Sequence, residues 1–315
     1  MKFFLPLFVF PLLLASCAPV RNVAALPDET AIVIFHPEAT ATFIPPSPTS
    51  APTQIPCSPR TVDFCITDGH LILRRPIQPP DNDSVDKSYR YGTTANGARD
   101  PHHGVEFLNS SGTPVQSAGD GIVLFAGPDV EAVYTPWKDF YGIVVVIQHA
   151  DDLYTLYAHL SEIEVETGDV VQAGDEIGKV GSSGVATGSH LHFEVRRGNA
   201  ENYFATQNPE LWLIPERDER NLHYGVVAVS ILNEANVYQF ADFTIQRYSR
   251  SSDVPEKTYY MNTYVPELTM NEENAALSEL PAGHYRIALK LNGYLYERWV
   301  DVQSGKLTQT IIIVK

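Results

Sequence analysis

The chain has 315 residues, a length at which two domains of about 100–200 residues each, plus linkers, are expected. Its 22 basic and 38 acidic residues give a net charge of −16. This balance argues against nucleic acid, or an anionic membrane surface, as an electrostatic partner. The composition therefore excludes the usual nucleic-acid-binding classes and leaves the function to be read from motifs.

The N-terminus has the pattern of a signal peptide. Lys2 precedes an apolar run over residues 3–14, which is too short to cross a bilayer as a mature helix. The run ends in Leu14-Ala15-Ser16-Cys17, which resembles the bacterial lipobox, whose cysteine becomes the lipidated first residue. We expect residues 1–16 to be removed and Cys17 to anchor the protein outside the cytoplasm, on a bacterial membrane that faces the cell wall. An ordinary signal peptide with a chance cysteine is the alternative.

Residues 17–56 form a predicted linker. The segment interleaves proline with serine and threonine, and such a composition cannot bury enough apolar surface to offset its chain entropy. Beyond it, Cys57 and Cys65 are an even pair in a chain predicted to be exported, which predicts a disulfide. A metal role for the two cysteines is the weaker alternative, because a lone pair at this spacing lacks further ligands.

Histidines further along the chain stand at spacings that suit a metal site. His190 and His192 alternate with apolar residues, which predicts a strand with both imidazoles on one face. His102 and Glu106 lie four apart in a segment whose glycine and proline favour an extended or looped conformation. His159 ends another alternating run. For His190 and His192 alone, the alternative interpretation is that both are partly buried strand histidines that form hydrogen bonds with their neighbours.

Four separated motifs occur in a specific order, namely His102-x-Gly104-x-Glu106, Gly112-Thr113-Pro114-Val115, Tyr157-Ala158-His159-Leu160 and His190-Leu191-His192-Phe193-Glu194. Over roughly residues 91–197 the chain thereby resembles the lysostaphin-like (LytM-type) zinc endopeptidases that cut peptidoglycan peptides. The resemblance implies that His102, Glu106 and His192 hold Zn²⁺, with His159 and His190 beside the bound water and the tetrahedral intermediate. Three protein ligands leave a fourth position for water, as catalytic zinc sites require.

The chain departs from the family pattern at Glu106, where the family usually has Asp. The change keeps the ligand type and charge but extends the side chain by one methylene group. A non-catalytic peptidoglycan-binding or amidase-activating module with the same fold is the alternative function. Tyr91 lies where some family members place a tyrosine that stabilises the oxyanion; we favour an ordinary surface aromatic residue here.

The fold class predicted is all-β. Glycine-containing turns punctuate short apolar runs over residues 57–215, and the resemblance implies an antiparallel β-barrel or sandwich of the duplicated-hybrid-motif type. Residues 222–315 are expected to form a small β-sandwich that resembles transthyretin-like or carboxypeptidase-regulatory-like domains. The carrying residues there are Leu280-Pro281-Ala282-Gly283-His284-Tyr285 with Gly293-Tyr294, and Asn292-Gly293 predicts a hairpin.

The lipobox gives a direct test. Cys17→Ser should abolish incorporation of radiolabelled lipid into the chain, because the modified thiol is gone, and should release the protein or leave its signal peptide uncleaved. Cys57→Ser serves as the matched control and should keep the label. Unchanged labelling of the Cys17→Ser variant would contradict the anchor.

Overall fold

Short runs of β-branched and aromatic residues between turns form seventeen strands in the computed structural model, which describes residues 57–94, 97–268 and 272–315. The predicted signal peptide, Cys17 and the linker lie outside these residues. The strands are β1 (Cys65–Thr67), β2 (Val105–Phe107), β3 (Pro114–Gln116), β4 (Gly121–Pro128), β5 (Ile143–Gln148), β6 (Leu153–Ile163), β7 (Val170–Val171), β8 (Glu176–Val180), β9 (Leu191–Arg197), β10 (Thr206–Gln207), β11 (Gly225–Asn233), β12 (Asp242–Tyr248), β13 (Pro255–Asn262), β14 (Ala275–Leu280), β15 (Gly283–Leu291), β16 (Tyr294–Val302) and β17 (Leu307–Val314).

Helix is nearly absent from the described part of the chain. Two 3₁₀ turns, Pro209–Leu211 and Pro266–Leu268, are its only helical segments. The all-β prediction is therefore confirmed. Within the same residue ranges, no helix has the length and apolar character that crossing a membrane requires.

Strands β2 to β10 form one nine-stranded antiparallel sheet. Its main path runs β10-β9-β6-β5-β4-β7, with β2 paired to β9, and with β8 paired to both β3 and β6. Alternate side chains enter a shared core, in which Phe107, Tyr157 and Phe193 pack edge to face. Burying an apolar side chain of this size stabilises the fold by about 1.5–3 kcal/mol. On the opposite face, Val144, Val146 and Leu156 of β5 and β6 join another buried apolar cluster, whereas β9 carries the polar side chains of His192, Glu194 and Arg196.

The C-terminal residues form two four-stranded sheets around a second core. Their strand orders are β1-β17-β11-β14 and β13-β12-β15-β16, and both sheets contribute to one buried apolar cluster. The hairpin between β15 and β16 turns at Asn292 and Gly293, with φ of 51° and 82°, the positive values that the Asn-Gly signal predicts. The sequence predicts strands over residues 226–232, 243–248, 285–291, 294–302 and 307–314, which correspond to β11, β12, β15, β16 and β17, whereas β13 and β14 have no counterpart in that prediction.

The first described residues belong to the C-terminal sheet. Cys57 and Cys65 form a disulfide with Cα atoms 5.8 Å apart, and β1, which begins at Cys65, pairs with β17. The predicted peptidase domain was drawn from residue 57, but this register puts residues 65–67 beside the last strand of the chain. The reason is edge pairing: β1 covers the open side of β17 that β11 leaves free.

The core of the nine-stranded sheet also receives residues from the C-terminal part of the chain. Tyr264 is buried in that core and meets the ring of Tyr91 edge to face, with centroids 5.0 Å apart. Gly92 has φ of +75°, and a Cβ there would lie 2.6 Å from the Tyr264 ring, so the close approach requires glycine. The segment around Tyr91 and Gly92 is thus packed against Tyr264.

A buried ion pair joins the same segment to β14. The carboxylate of Glu210 accepts hydrogen bonds from the guanidinium of Arg90 and from the backbone N–H and hydroxyl of Ser278. Glu210 is 1% exposed. Burial raises the pKa of Glu210, but Arg90 and Ser278 outweigh it and hold the pKa below its usual value. The carboxylate is therefore ionised at neutral pH.

Glu210→Gln should lower the free energy of unfolding by about 3–5 kcal/mol at pH 7, because the buried Arg90 loses its partner. Since the folded pKa of Glu210 lies below the unfolded one, its stabilisation is present at neutral pH and is lost as the pH falls through the folded pKa. Urea titrations at several pH values measure both effects, with Glu219→Gln as the exposed control. Equal stability of the two variants would contradict the role of this pair.

Candidate metal centre

The backbone register of two paired strands brings Glu106 and His192 together. In the antiparallel pair β2–β9 these residues lie directly opposite each other, so their side chains share one face. His102 precedes β2, and backbone hydrogen bonds to Gly92 and Thr93 hold it in place. A Cβ on Gly104 would lie 2.4 Å from the carbonyl oxygen of Phe193, so the turn between His102 and Glu106 needs glycine.

Three donor atoms converge at this point. His102 Nε2 lies 2.9 Å from Glu106 Oε1, His192 Nδ1 lies 3.1 Å from the same oxygen, and the two nitrogens are 3.3 Å apart. All three residues are buried. Ligand atoms of a tetrahedral zinc ion, at bonds of about 2.0–2.1 Å, stand about 3.3 Å from each other. The donor set and its spacing therefore fit a zinc ion, with Glu106 reaching the cluster despite its longer side chain.

The charges of the cluster also favour a cation. Burial lowers the pKa of His192, but Glu106 and Glu194 on either side of the ring outweigh it and raise the pKa to about 10. Burial raises the pKa of Glu106, yet His192 and His102 hold it well below its usual range. The carboxylates thus stabilise positive charge at the place where the donor atoms meet.

A buried network behind His192 orients its ring. His192 Nε2 donates to Glu194 Oε1 at 3.0 Å, which turns Nδ1 towards Glu106. Glu194 also accepts hydrogen bonds from the Tyr141 hydroxyl at 2.6 Å and from Arg196 Nε at 2.8 Å. Burial raises the pKa of Glu194, but Arg196 and His192 lower it to about 2. The sequence motifs predict no role for Glu194 and Arg196, although the period of two along β9 places both on the face of His192.

His159 stands beside the cluster with one nitrogen occupied. Its Nδ1–H donates to the carbonyl of Ser183 at 2.8 Å, and its ring lies 5.8 Å from that of His192. Burial, together with the neighbouring histidines His192 and His190, lowers the pKa of His159 to about 4. The ring is therefore neutral at pH 7, with the lone pair on Nε2. A φ of +61° places this residue in the left-handed region, where strain is typical of functional positions.

His190 is half-buried on the other side of Glu106. Its Nδ1 lies 2.9 Å from the carbonyl of Gly188, and its Nε2 lies 3.0 Å from Glu106 Oε2. The two ring nitrogens thus face a carbonyl oxygen and a carboxylate oxygen. His103 stacks on Tyr203 with ring centroids 3.8 Å apart and is not part of the donor cluster.

Tyr91 is neither at the site nor on the surface. It is 2% exposed, and its hydroxyl donates to the carbonyl of Thr206 at 2.9 Å, so both readings given to it from the sequence are wrong. Tyr91 is held inside by its packing on Tyr264 and by this hydrogen bond, and Tyr89 lines the cleft instead. Tyr89 stacks on the His102 ring, with centroids 4.0 Å apart.

The five predicted site residues all line one open cleft of about 560 Å³. Its walls add Tyr89, Arg99, Phe140 and Tyr203. A larger cavity of about 940 Å³, lined in part by Trp212 and Leu307, contains none of the metal-donor residues. The five candidate site residues thus all lie in the smaller, histidine-lined cleft.

Part of this chain is similar to known proteins. A model of Peptidase family M23 matches residues 100–204. Peptidoglycan DD-endopeptidase ShyA of Vibrio cholerae is 38% identical over 119 residues, covering 38% of this chain and 26% of that protein. DD-carboxypeptidase/endopeptidase Mpg of Neisseria meningitidis is 42% identical over 95 residues, covering 30% of this chain and 20% of that protein. Among solved structures, the catalytic domain of lysostaphin from Staphylococcus simulans has 32% identity and a TM-score of 0.33, with 38% of this chain and 86% of that chain covered.

The matched segment contains His102, Glu106, His159, His190 and His192. The donor set and the match together define a metallopeptidase domain. This part of the chain belongs to peptidase family M23. The chain spans only about a fifth to a quarter of the length of the curated relatives that it matches.

Glu194→Gln should weaken zinc binding by about 10- to 100-fold, because the neutral amide holds the His192 ring less firmly and withdraws a nearby negative charge. Competition with a fluorescent chelator measures the affinity. The exposed Glu201→Gln is the control and should bind zinc as the unmodified chain does. An unchanged zinc affinity in Glu194→Gln would show that the network does not support the metal site.

Proposed function

We propose that this protein is a zinc-dependent endopeptidase that hydrolyses stem peptides or peptide cross-links of bacterial peptidoglycan. The observation that carries the proposal is the convergence of His102 Nε2, Glu106 Oε1 and His192 Nδ1 within 2.9–3.3 Å, with two further histidines beside them. A non-catalytic peptidoglycan-binding module would need neither His159 nor His190 in the cleft.

The two non-ligand histidines divide the proton chemistry. Zinc held by His102, Glu106 and His192 would supply a water of pKa near about 7 and polarise the scissile carbonyl. His159, neutral and with its Nε2 lone pair free of the Ser183 contact, accepts a proton from the attacking water. Negative charge that develops on the substrate raises the pKa of the ring while it holds this proton. The ring then returns the proton to the leaving amine.

His190 fits the complementary role. Its Nε2 lies 3.0 Å from Glu106 Oε2 at the edge of the donor cluster, where an N–H on this atom donates to the carbonyl oxygen of the substrate as that oxygen gains negative charge. A donor of this kind lowers the barrier only if it is in place beforehand. The contact of Nδ1 with the Gly188 carbonyl provides that placement.

The substrate class is supported by the relatives named as peptidoglycan endopeptidases, over the segment that they share with this chain. The open cleft admits an extended peptide, as a polymer substrate requires. Anchoring through Cys17, with residues 17–56 as a spacer, is part of the proposal and rests on the sequence pattern alone. The proposed likeness of the C-terminal domain to transthyretin-like or carboxypeptidase-regulatory-like domains also rests on the sequence pattern alone.

His159→Ala and His190→Ala should each retain about one zinc per chain, because neither residue is a ligand. Each should cut hydrolysis of cross-linked peptidoglycan by about 10²-fold or more, the typical worth of a positioned acid or base. His192→Ala is the contrast and should lose the metal itself. Elemental analysis and release of new amino groups provide the two measurements.

A wild-type chain that binds no zinc and releases no amino groups from any peptidoglycan type would refute the enzyme and leave the binding-module alternative. Glu106→Asp tests the unusual ligand. Because the strand register already fits the longer side chain, we expect the shorter one to lower zinc affinity.

A further inference from the structure

Arg99 is held at the rim of the catalytic cleft by two stacked rings. Its guanidinium carbon lies 4.9 Å from the centroid of the Tyr89 ring, a cation–π contact. Tyr89 in turn stacks on the metal-donor residue His102 at 4.0 Å, with an angle of 13° between the ring planes. The Tyr89 ring thus contacts both Arg99 and the metal-donor residue His102.

The guanidinium keeps donors available for a ligand. Arg99 is exposed, and among the described residues no carboxylate lies within ion-pair distance of it. A guanidinium carries five N–H donors. A cation–π contact leaves guanidinium N–H donors available, and these donors match a carboxylate in the two-pronged geometry that lysine does not provide.

The charges around the cleft make Arg99 distinctive. It is the only arginine or lysine among the described residues that line the cleft, whereas Asp86, Asp100, Glu106 and Glu194 are acidic. The chain as a whole carries a net charge of −16. An anionic group on a substrate is therefore repelled by most of this surface and is attracted at one place.

We propose that Arg99 is a specificity-determining residue that binds a free carboxylate of the peptide substrate close to the scissile bond. The two ring distances together place the guanidinium carbon at most about 9 Å from the centroid of the His102 ring. An extended peptide spans that distance in two to three residues, at about 3.3–3.6 Å per residue. The inference rests on the proposed peptidase function and adds the chemical class of substrate: peptides with an unmodified carboxylate at that position, in preference to amidated ones.

The test compares matched synthetic peptide dimers with the purified full-length chain. The dimers are identical except that one carboxyl group, on the residue next to the scissile bond or the one after it, is a carboxamide. The unmodified chain should cleave the carboxylate form with kcat/KM about 10- to 100-fold higher, the worth of a charge-assisted hydrogen bond pair. Arg99→Gln should bring this ratio close to one, chiefly by raising KM for the carboxylate form.

Arg99→Lys should give an intermediate ratio of the two kcat/KM values, because lysine keeps the positive charge but lacks the two-pronged hydrogen-bonding geometry of the guanidinium. Arg250→Gln, an exposed change in the C-terminal region, controls for net charge and should keep the ratio of the unmodified chain. Zinc content and circular dichroism of each variant report the intact site and fold.

A ratio near one in the unmodified chain, or an undiminished ratio in Arg99→Gln, would overturn the role of Arg99 while leaving the peptidase function standing. Failure of the zinc-loaded chain to cleave any of the dimers or intact peptidoglycan is the different result that would remove the proposed function and this inference together.

Discussion

The pairing of β2 with β9 is the constraint on which the site depends. Val105 and Phe107 are both fully buried in the peptidase core, so the residue between them must project from the opposite face of the strand. That residue is Glu106, and the register sets it across from His192. A slip by one residue would put the carboxylate in the core and an apolar side chain at the metal, so packing and chemistry are fixed by the same register.

The third donor depends on a different part of the chain. His102 lies outside the strands and is held through the backbone of Gly92 and Thr93. The segment that carries these two residues is itself anchored by Arg90 on Glu210 and by the packing of Tyr91 against Tyr264. Because Tyr264 and the Glu210 partner Ser278 come from the C-terminal part of the chain, that part contributes to the position of a metal donor without touching the cleft.

Charge balance explains why so many ionisable groups are buried together. Glu106, Glu194 and Arg196 are each costly to bury alone, but each has hydrogen-bonding partners of opposite charge or suitable polarity. The network leaves one place, between Glu106 and His192, where the surrounding carboxylates favour additional positive charge. A metal site is the chemical use of such a place. The longer Glu106 side chain fits because the strand register, and not side-chain length alone, determines where its oxygen lies.

The sequence by itself determined the all-β class, the Asn292-Gly293 hairpin, most C-terminal strands and the five residues that meet in the cleft. It could do so because alternation and turn residues are local signals, and because the ordered motifs of a known family carry the site. Tertiary structure alone decided which aromatic residue enters the cleft, since the burial of Tyr91 depends on Tyr264, which is distant in sequence. It also decided the pairing of β1 with β17 and the joining of Tyr141 to Glu194 and Arg196. These features depend on contacts between residues far apart in the chain, which no local pattern encodes.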